Sequence, residues 1–309
     1  MAEYYFIVNP KSRTGKTKQI WEELVLELER RKVDYQAFCT EYKGHAKELA
    51  KKITTENEKG CKLVVVGGDG TSNEVLNGIT DFKNVQVGFI PTGSGNDLGR
   101  GLKLAGTPVE LLNRILDATE VKKIDLGEVS WKDGQEKRRF AISSGIGLDA
   151  DVCKQALTSK LKKFLNVLHL GKLTYVLLTV KTLFAMKTTI IKVTTDEGEH
   201  FRTDRMICTV AMNLKYEGGG VPMVPGANAE DGKLSFCCIC GIPKWKTFFL
   251  LPLLVLGKHE NIKGIRILQG KELHLRIQRK MVVHADGEYC GDRDELCFRC
   301  LEGVLQVRM

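Results

Sequence analysis

The stretch Leu63–Val64–Val65–Val66–Gly67–Gly68–Asp69–Gly70–Thr71 decides the fold of this 309-residue chain. Its four apolar residues, three of them β-branched, are typical of a strand buried in a sheet. The three glycines at its end indicate unusual backbone angles or close approach to a ligand. A helical pattern begins at Thr71 or Ser72. This order of strand, glycine-rich turn and helix N-terminus favours a phosphate cradle over a plain turn, which needs only one glycine.

Strand-like and helical patterns alternate on both sides of this stretch. The other predicted strands are Tyr4–Val8, Asp34–Thr40 and Val85–Ile90, and the predicted helices are Gln19–Arg31, Ala46–Ile53, Leu98–Leu102 and Val109–Leu116, the last beginning at Pro108. This alternation predicts a parallel, doubly wound α/β sheet, which binds ligands outside the carboxyl ends of its strands. Three unusual loops follow strands at that edge: Asn9–Lys16, Gly67–Thr71 and Thr92–Asp97.

After about residue 124, strand-like runs dominate the chain. They are Lys137–Ser144, Thr188–Thr195, Arg205–Met212, Leu234–Cys240, Ile262–Leu268, Glu272–Ile277, Met281–Ala285, Glu295–Cys300 and Val304–Val307. Helical patterns interrupt them around Lys160–Phe184 and Lys244–Leu256. We therefore expect an α/β domain over residues 1–124, whose glycine-rich loops suit a nucleotide, and a β-rich domain over 125–300. A C-terminal strand at about 301–309 is expected to return to the first domain.

Composition and charge narrow the class of protein. The net charge of +9 favours anionic partners, such as nucleotides or an anionic membrane face, although it also serves solubility. The longest apolar run, Phe248–Leu256, contains Pro252 and is shorter than the roughly 20 residues of a membrane span. Because Met1–Glu3 enters a strand directly, we expect no signal peptide, and hence a cytoplasmic protein.

Ten cysteines without an export signal are expected to be reduced thiols. Two C-x-x-C spacings, Cys237/Cys240 and Cys297/Cys300, raise the alternative of a zinc site. Both pairs lie in strand-like runs, where residues three apart point to opposite faces. Buried apolar cysteines are therefore favoured over zinc ligands.

The loop Asn9–Thr17 resembles a Walker A motif only at its end, Gly15–Lys16–Thr17. Pro10 stands where the motif has its first glycine, and proline lacks the N–H group that would face a phosphate. We therefore expect no ordinary P-loop. The loop still offers basic side chains at the sheet edge, unless it is only a charged connection before an early helix.

Two further turns carry carboxylates. Pro91–Asp97 is a second glycine-rich turn between a strand and a helix, so Asp69 and Asp97 can lie near one triphosphate, where Mg²⁺ takes oxygen ligands. Ala285–Glu288 alone is typical of a hairpin with an acidic tip. Beside the other two turns, it offers a carboxylate that could accept a hydroxyl proton during phosphoryl transfer.

Together these motifs resemble the diacylglycerol kinase catalytic-domain family, and within it the soluble bacterial lipid kinases. The resemblance covers essentially the whole chain, and Arg13 replaces the glycine of the family's first loop. The matching segments are Asn9–Ser12, Thr40, Gly44–Ala46, Gly67–Thr71, Gly93–Asp97, Tyr216–Gly220, Pro225–Ala227, Asp231–Gly232, Gly257–His259 and Asp286–Glu288. It implies a phosphofructokinase- and NAD-kinase-like doubly wound, nucleotide-binding domain over 1–124, a β-rich (β-sandwich), lipid-binding second domain over 125–300 and an active site in the cleft.

The resemblance also implies ATP and Mg²⁺ and assigns residues to them. Asp69 would support the Mg–ATP phosphates, Asp97 would lie near the acceptor hydroxyl or its metal, and Glu288 would accept the proton. A second, structural Mg²⁺ would be held by Asn228, in place of the usual serine, by Asp231 and by the carbonyl of Lys233. The implied nucleotide-binding residues are Asn9, Pro10, Lys11, Ser12, Thr40, Gly67, Gly68, Asp69, Gly70, Thr71, Asn73 and Ser94.

The sequence thus predicts an ATP-dependent lipid kinase that phosphorylates a glycerolipid hydroxyl, with diacylglycerol giving phosphatidic acid as the first expectation. The alternatives are an NAD kinase-like enzyme, a sphingoid-base kinase, or a non-catalytic regulator that binds lipid or nucleotide. The segment Thr92–Asp97 resembles the lipid kinases more than the NAD kinases, and Asp97 favours a glycerolipid over a sphingoid base. The lipid acceptor, the nucleotide donor and the oligomeric state, a homodimer included, stay open.

A lipid kinase has to reach a membrane, so we expect a peripheral contact with its anionic inner face and no nucleic acid partner. A basic amphipathic pattern suits that contact, although a solvated helix with a core-facing side is the alternative. It consists of Lys154, Lys160, Leu161, Lys162, Lys163, Phe164, Leu165, Val167, Leu168 and Lys172. The segment Trp245–Leu256 has the same two interpretations: a core helix or a lipid-facing wall.

Overall fold

The computed structural model describes residues 3–158 and 171–309, which form two compact units. The first unit comprises Met1–Leu126 and Glu302–Met309, and the second comprises Gly127–Leu301. Within the described ranges, every helix is too short or too polar to cross a bilayer.

The first unit is a parallel sheet with helices between its strands. Its strands are β1 (Tyr4–Val8), β2 (Tyr35–Cys39), β3 (Cys61–Gly67) and β4 (Val85–Pro91). Its helices are α1 (Lys16–Arg30), α2 (His45–Glu56), α3 (Asp69–Gly78), α4 (Asp97–Gly101) and α5 (Pro108–Asp117). The strand order is β2–β1–β3–β4, and residues 306–307 pair in parallel with β4. The predicted α/β class of this half is confirmed.

The core of the first unit explains why these elements form. Strand β1 is buried along its whole length, and Phe6 packs in one cluster with Leu24 and Leu28 of α1. Burying such a side chain contributes about 1.5–3 kcal/mol. Helix α5 begins, as predicted, with Pro108 in its first turn, after a capping box formed by Thr107 and Glu110.

Helix α3 begins at Asp69, two residues before the predicted start at Thr71. Gly68 is its N-cap in an extended conformation, and Asp69 places a negative charge in the first turn. A carboxylate there interacts favourably with the helix dipole. The glycine-rich turn is therefore shorter than predicted, and most of it is already helix.

The second unit is β-rich, as predicted, and its strand pairs are antiparallel. The remaining strands are β5 (Lys122–Trp131), β6 (Glu136–Phe140), β7 (Ser143–Gly147), β8 (Thr189–Thr195), β9 (His200–Met212), β10 (Leu234–Cys240), β11 (Ile265–Gly270), β12 (Glu272–Ala285) and β13 (Glu288–Val307). Its helices are α6 (Leu148–Thr158), α7 (Gly171–Ala185) and α8 (Lys244–Val255). Residues of β5 and β13 belong partly to each unit.

Several predicted strand boundaries in this half were wrong. The runs Glu272–Ile277 and Met281–Ala285 are one strand, whose register with β13 shifts between Arg276 and Met281. The single strand predicted over Lys137–Ser144 is two strands, β6 and β7. Most of the basic amphipathic pattern, together with part of the predicted helix around Lys160–Phe184, lies in residues 159–170, outside the described residues.

Candidate functional site

Two glycine-rich turns meet at the carboxyl edge of the parallel sheet. The Thr92 N–H donates to the Gly67 carbonyl at 2.8 Å, and the backbones of Gly68 and Gly93 come into direct contact. A Cβ on Gly93 would lie 2.7 Å from the Gly68 Cα, and one on Gly68 would lie 3.1 Å from the Gly93 Cα. None of these three glycines has a positive φ. Close approach, rather than an unusual backbone angle, therefore explains the glycines.

The carboxylate of Asp69 fastens the second turn to the first. Its Oδ2 accepts the N–H of Asp97 and its Oδ1 accepts the N–H of Leu98, each at 3.1 Å. Hydrogen bonds to an ionised acceptor are roughly twice as strong as neutral ones. Asp69 thus caps helix α4 from a neighbouring turn, and the first turns of α3 and α4 form one assembly.

Asp69 and Asp97 face the same small volume beside Gly95. A Cβ on Gly95 would lie 3.0 Å from the Asp69 Oδ2 and 3.9 Å from the Asp97 Oδ2. The first N–H groups of a helix lack intrahelical partners, and their dipoles favour anions. The turns therefore combine amides suited to phosphate with two carboxylates suited to a divalent cation.

Asp97 is buried and forms an ion pair with Arg100, one helical turn later. Arg100 Nη2 also donates to the Gly95 carbonyl at 3.2 Å, so the arginine ties the turn to its own helix. The neighbouring Asn96 adopts a left-handed conformation with φ 53°, and its buried Oδ1 has no hydrogen-bond partner among the residues that the structure describes. Arg100 was not predicted from the sequence, although it lies three residues after Asp97, at the spacing of an i, i+3 ion pair on a helix.

Asn9 attaches the first loop to the same edge. Its backbone N–H donates to the Val66 carbonyl at 2.9 Å, and its side-chain Nδ2 donates to Thr71 Oγ1 at 2.9 Å. The Lys11 N–H donates to Asn9 Oδ1 at 3.1 Å. Both polar atoms of the Asn9 side chain are therefore engaged, Oδ1 with the first loop and Nδ2 with Thr71 of α3.

A buried threonine pair joins the first loop to the second turn. Thr17 Oγ1 lies 2.8 Å from Thr92 Oγ1 and 3.2 Å from the Ser12 carbonyl. Ser12 Oγ lies 3.4 Å from the position of a Cβ on Gly68. Asn9, Ser12, Asp69 and the two glycine-rich turns are thus brought together.

The other predicted nucleotide-binding residues have varied surroundings. Lys11 Nζ donates to the Glu41 carbonyl at 2.8 Å, and the buried Thr40 donates its N–H to the Val8 carbonyl at 2.8 Å. Pro10 is half-buried, and Ser94 is exposed between Gly93 and Gly95. Asn73 is completely buried, and its Oδ1 lies 3.3 Å from Asn77 Nδ2. Asn73 is therefore placed to support helix α3, and its role toward a nucleotide stays a prediction.

In the second unit, Glu288 follows a tight turn at Asp286 and Gly287. Both turn residues have positive φ, 49° and 79°, as a type I′ hairpin requires. The Asp286 carboxylate accepts the N–H groups of Ala141, Ile142 and Ser143 at 2.8–3.0 Å. Asp286 is therefore committed to structure, and it fixes the turn from which the half-buried Glu288 begins β13.

A buried histidine lies behind this turn. His284 Nδ1 accepts the Gly287 N–H at 3.1 Å, and its Nε2 lies 2.7 Å from Asp149 Oδ2 and 3.4 Å from Glu217 Oε1. Burial opposes a charged ring, but Asp149 and Glu217 raise the pKa of His284 to about 9. A proton on Nδ1 has to displace the Gly287 hydrogen bond. That displacement opposes protonation, because it leaves the partly buried Gly287 N–H without its acceptor at a cost of about 1–3 kcal/mol, whereas the two carboxylates favour protonation.

The predicted structural Mg²⁺ ligands surround another turn. Asp231 Oδ1 accepts the Lys233 N–H at 3.0 Å, and Lys233 Nζ pairs with Glu197 at 2.6 Å. Asn228 and Asp231 are exposed. The carboxylate of Asp231 already stabilises the turn without a metal, and the metal itself stays a prediction.

Comparison with known proteins covers both units. Residues 3–129 match the model of the diacylglycerol kinase catalytic domain, and residues 142–309 match that of the YegS C-terminal NAD kinase beta sandwich-like domain. The chain is 31% identical, over 94% of both proteins, to YtlR of Bacillus subtilis (strain 168), whose name proposes a lipid kinase. It is 26% identical to a diacylglycerol kinase of Staphylococcus carnosus (strain TM300), over 92% of this chain and 88% of that protein.

A solved structure of a proposed diacylglycerol kinase from Bacillus anthracis str. Sterne has the same fold. Its TM-score is 0.76, with 99% of this chain and 97% of that chain covered, at 22% sequence identity.

Proposed function

Since the chain belongs to the diacylglycerol kinase catalytic-domain family, with a YegS-type C-terminal domain, we propose that it transfers the γ-phosphoryl group of ATP to a glycerolipid hydroxyl. Diacylglycerol is the first candidate acceptor, with phosphatidic acid as its product. Relatives named diacylglycerol kinase support this choice, as does the presence of Asp97.

One observation carries the proposal: Asp69 holds the N–H groups of Asp97 and Leu98 where Gly68 and Gly93 come into contact. This arrangement brings the side-chain-free backbones of Gly68 and Gly93 together beside the N-terminus of α3, where a triphosphate can lie close to amide groups. The carboxylates of Asp69 and Asp97 are the oxygen ligands that Mg²⁺ prefers. When bound there, Mg²⁺ would neutralise phosphate charge.

The chain's own residues then have distinct tasks. Asn9 and Ser12 position the first loop beside the triphosphate, while Arg100 keeps the Asp97 carboxylate oriented. Glu288 accepts the proton of the acceptor hydroxyl as that oxygen bonds to phosphorus and the bond to ADP breaks. The turn held by Asp286 restricts the backbone from which Glu288 projects. Catalysis consists mainly of positioning and of neutralising charge.

The proposal is tested by offering labelled ATP together with diacylglycerol, an extracted lipid mixture, a sphingoid base or NAD. Mass spectrometry of the product identifies the acceptor. Phosphorylated NAD or a phosphorylated sphingoid base would overturn the glycerolipid assignment, and binding without transfer would indicate a regulator.

We expect Asp97→Asn and Glu288→Gln each to lose most turnover, by about 10²-fold or more, because each removes a carboxylate that acts during transfer. Circular dichroism and the melting temperature check that both variants are folded. A near-normal rate in either variant would contradict the role assigned to that residue.

A further inference from the structure

Helix α8 is apolar on two opposite sides. Thr247 and Leu254 are buried, and Leu254 belongs to the main core of the second unit. The helical repeat places Trp245 about 200° round the helix axis from Thr247. Residues at i, i+4, i+7 and i+11 share that outward face. They are Trp245, Phe249, Pro252 and Leu256, the last being the C-cap.

This outward face is exposed. Trp245 is 57% exposed, Phe249 67% and Leu256 64%. In the described part of the chain, nine large hydrophobic side chains are exposed, and six of them lie here. The six, which we call the α8 patch, are Phe184, Trp245, Phe248, Phe249, Val255 and Leu256.

Phe184 joins the α8 patch from the end of α7. Its ring centroid lies 6.1 Å from that of Phe248, and Lys244 Nζ donates to the Phe184 carbonyl at 3.0 Å. The α8 patch is therefore contiguous across two helices. Contiguous exposed apolar surface of this kind marks an interaction site in soluble domains.

The charges around the α8 patch favour an anionic partner. Residues 232–259 contain no aspartate or glutamate, and the exposed Lys246 and Lys258 flank the α8 patch. Lys246 Nζ lies 5.4 Å from the centre of the Trp245 ring. Interfacial aromatic rings beside lysines are typical of surfaces that bind anionic lipid.

Other candidate partners of the α8 patch lack negative charges to pair with its lysines. A second copy of the chain, docked face to face, would bring the same surface against itself, with Lys246 and Lys258 on both sides and no acidic residue of 232–259 to pair with them. The segment 159–170 carries three lysines and no acidic residue, so its charge has the same sign as the patch.

We propose that the α8 patch docks the protein on an anionic phospholipid bilayer. Trp245, Phe249 and Leu256 enter the boundary between headgroups and acyl chains, while Lys246 and Lys258 face lipid phosphates. The proposal deepens the proposed function, since it says how a lipid kinase would reach its substrate, but the docking can be measured without any turnover.

The experiment sediments the protein with vesicles of phosphatidylcholine, with or without phosphatidylglycerol. Phe249→Ser combined with Leu256→Ser is expected to weaken binding to anionic vesicles on the order of tenfold or more. Leu26→Ser is the matched control, because Leu26 is also 67% exposed but lies on α1. Lys246→Glu is expected to weaken only anionic binding, about fivefold or more.

Fluorescence locates the contact. Brominated phospholipids should quench Trp245 emission, and Trp245→Phe should remove that quenching. Undiminished vesicle binding by the serine double variant would overturn the proposal. So would protection of Trp245 from acrylamide without vesicles, which would mean that protein already covers the patch.

Turnover of a water-soluble, short-chain diacylglycerol separates the two proposals. The docking variants should keep that turnover. If wild-type protein lacks it but binds anionic vesicles through the α8 patch, the proposed function fails while the docking surface stands.

Discussion

At the scale of single residues, the backbone contact between Gly68 and Gly93 shapes the candidate site together with the carboxylates of Asp69 and Asp97. Asp69 was predicted from the sequence to support phosphates, and that role stays a prediction. What the sequence could not show is that Asp69 also caps α4, because its partners lie 28 and 29 residues away. A single side chain thus shapes the second turn while belonging to the first.

The glycine contact predicts that Gly93→Ala damages the site. Its Cβ would meet backbone at 2.7 Å and Asn96 Oδ1 at 2.9 Å, so the turns must separate. We expect a loss of about 1–3 kcal/mol in the free energy of unfolding and weaker protection of the fold by Mg–ATP. Thermal melts with and without nucleotide measure both effects.

Gly226→Ala is the control for this substitution. Gly226 has an ordinary φ, and within the described ranges no atom lies within 4 Å of its Cβ position. Equal effects of the two substitutions would show that the contact between the turns is unimportant.

His284 predicts a pH dependence of stability. Its folded-state pKa of about 9 exceeds the unfolded value of about 6.5, so protonation stabilises the folded protein. That contribution, up to about 3 kcal/mol, is fully present below pH 6.5 and is lost as the pH rises through 9. Denaturant unfolding between pH 6 and 10 should show the loss, and His284→Gln should flatten the curve.

An NMR titration of the wild-type ring gives an independent test, since His284→Gln removes the cation that faces the Asp149 and Glu217 carboxylates. If the His284 ring titrates near pH 6.5, the prediction that its protonation stabilises the folded protein is wrong.

At the scale of elements, sequence patterning worked where buried carboxylates do not interrupt the hydrophobic pattern of a strand. It identified β1, β2, β3, β4, β8 and β10 to within two residues at each end. It missed β5, because this strand buries two carboxylates that interrupt its hydrophobic pattern. Asp125 accepts the Gly303 N–H at 2.6 Å, and Glu128 pairs with Lys137 at 3.2 Å. Gly303 lies far along the chain from Asp125, and Lys137 lies on β6, the strand that pairs with β5. The residues of β5 alone therefore give no sign of the partners that allow its carboxylates to be buried.

The β12–β13 turn predicts a large cost for Asp286→Asn. The carboxylate accepts three backbone N–H groups, whereas an amide has one oxygen and turns its NH₂ toward other donors. We expect a loss of about 2–3 kcal/mol in the free energy of unfolding. Chemical denaturation measures it.

Asp133→Asn is the matched control, because Asp133 is exposed in another turn, at φ 53°. Asparagine tolerates this conformation as aspartate does, so the difference between the variants isolates the three hydrogen bonds. If Asp286→Asn is as mild as Asp133→Asn, the turn is held by other contacts.

At the scale of the whole molecule, the two units present different chemistry. The first offers bare backbone and carboxylates at a sheet edge, which suits a nucleotide. The second offers the α8 patch, which suits lipid. The nucleotide-binding role of the first unit could be proposed from the sequence, because its motifs are contiguous. The sequence left α8 ambiguous, because a helix that is apolar all round has the same composition whether it lies in a core or against a bilayer.

Hydrogen exchange over the full chain should therefore respond to two ligands in two places. Mg–ATP is expected to slow amide exchange in residues 9–17, 67–73 and 92–98, where the loops join, and to leave α8 unchanged. Anionic vesicles should slow exchange in α8 and leave those loops unchanged. Mass spectrometry of peptic peptides measures both, with Gly93→Ala removing only the nucleotide response. Nucleotide protection confined to β10 and β11 would contradict the assignment of the nucleotide to the first unit, because these strands lie wholly in the second.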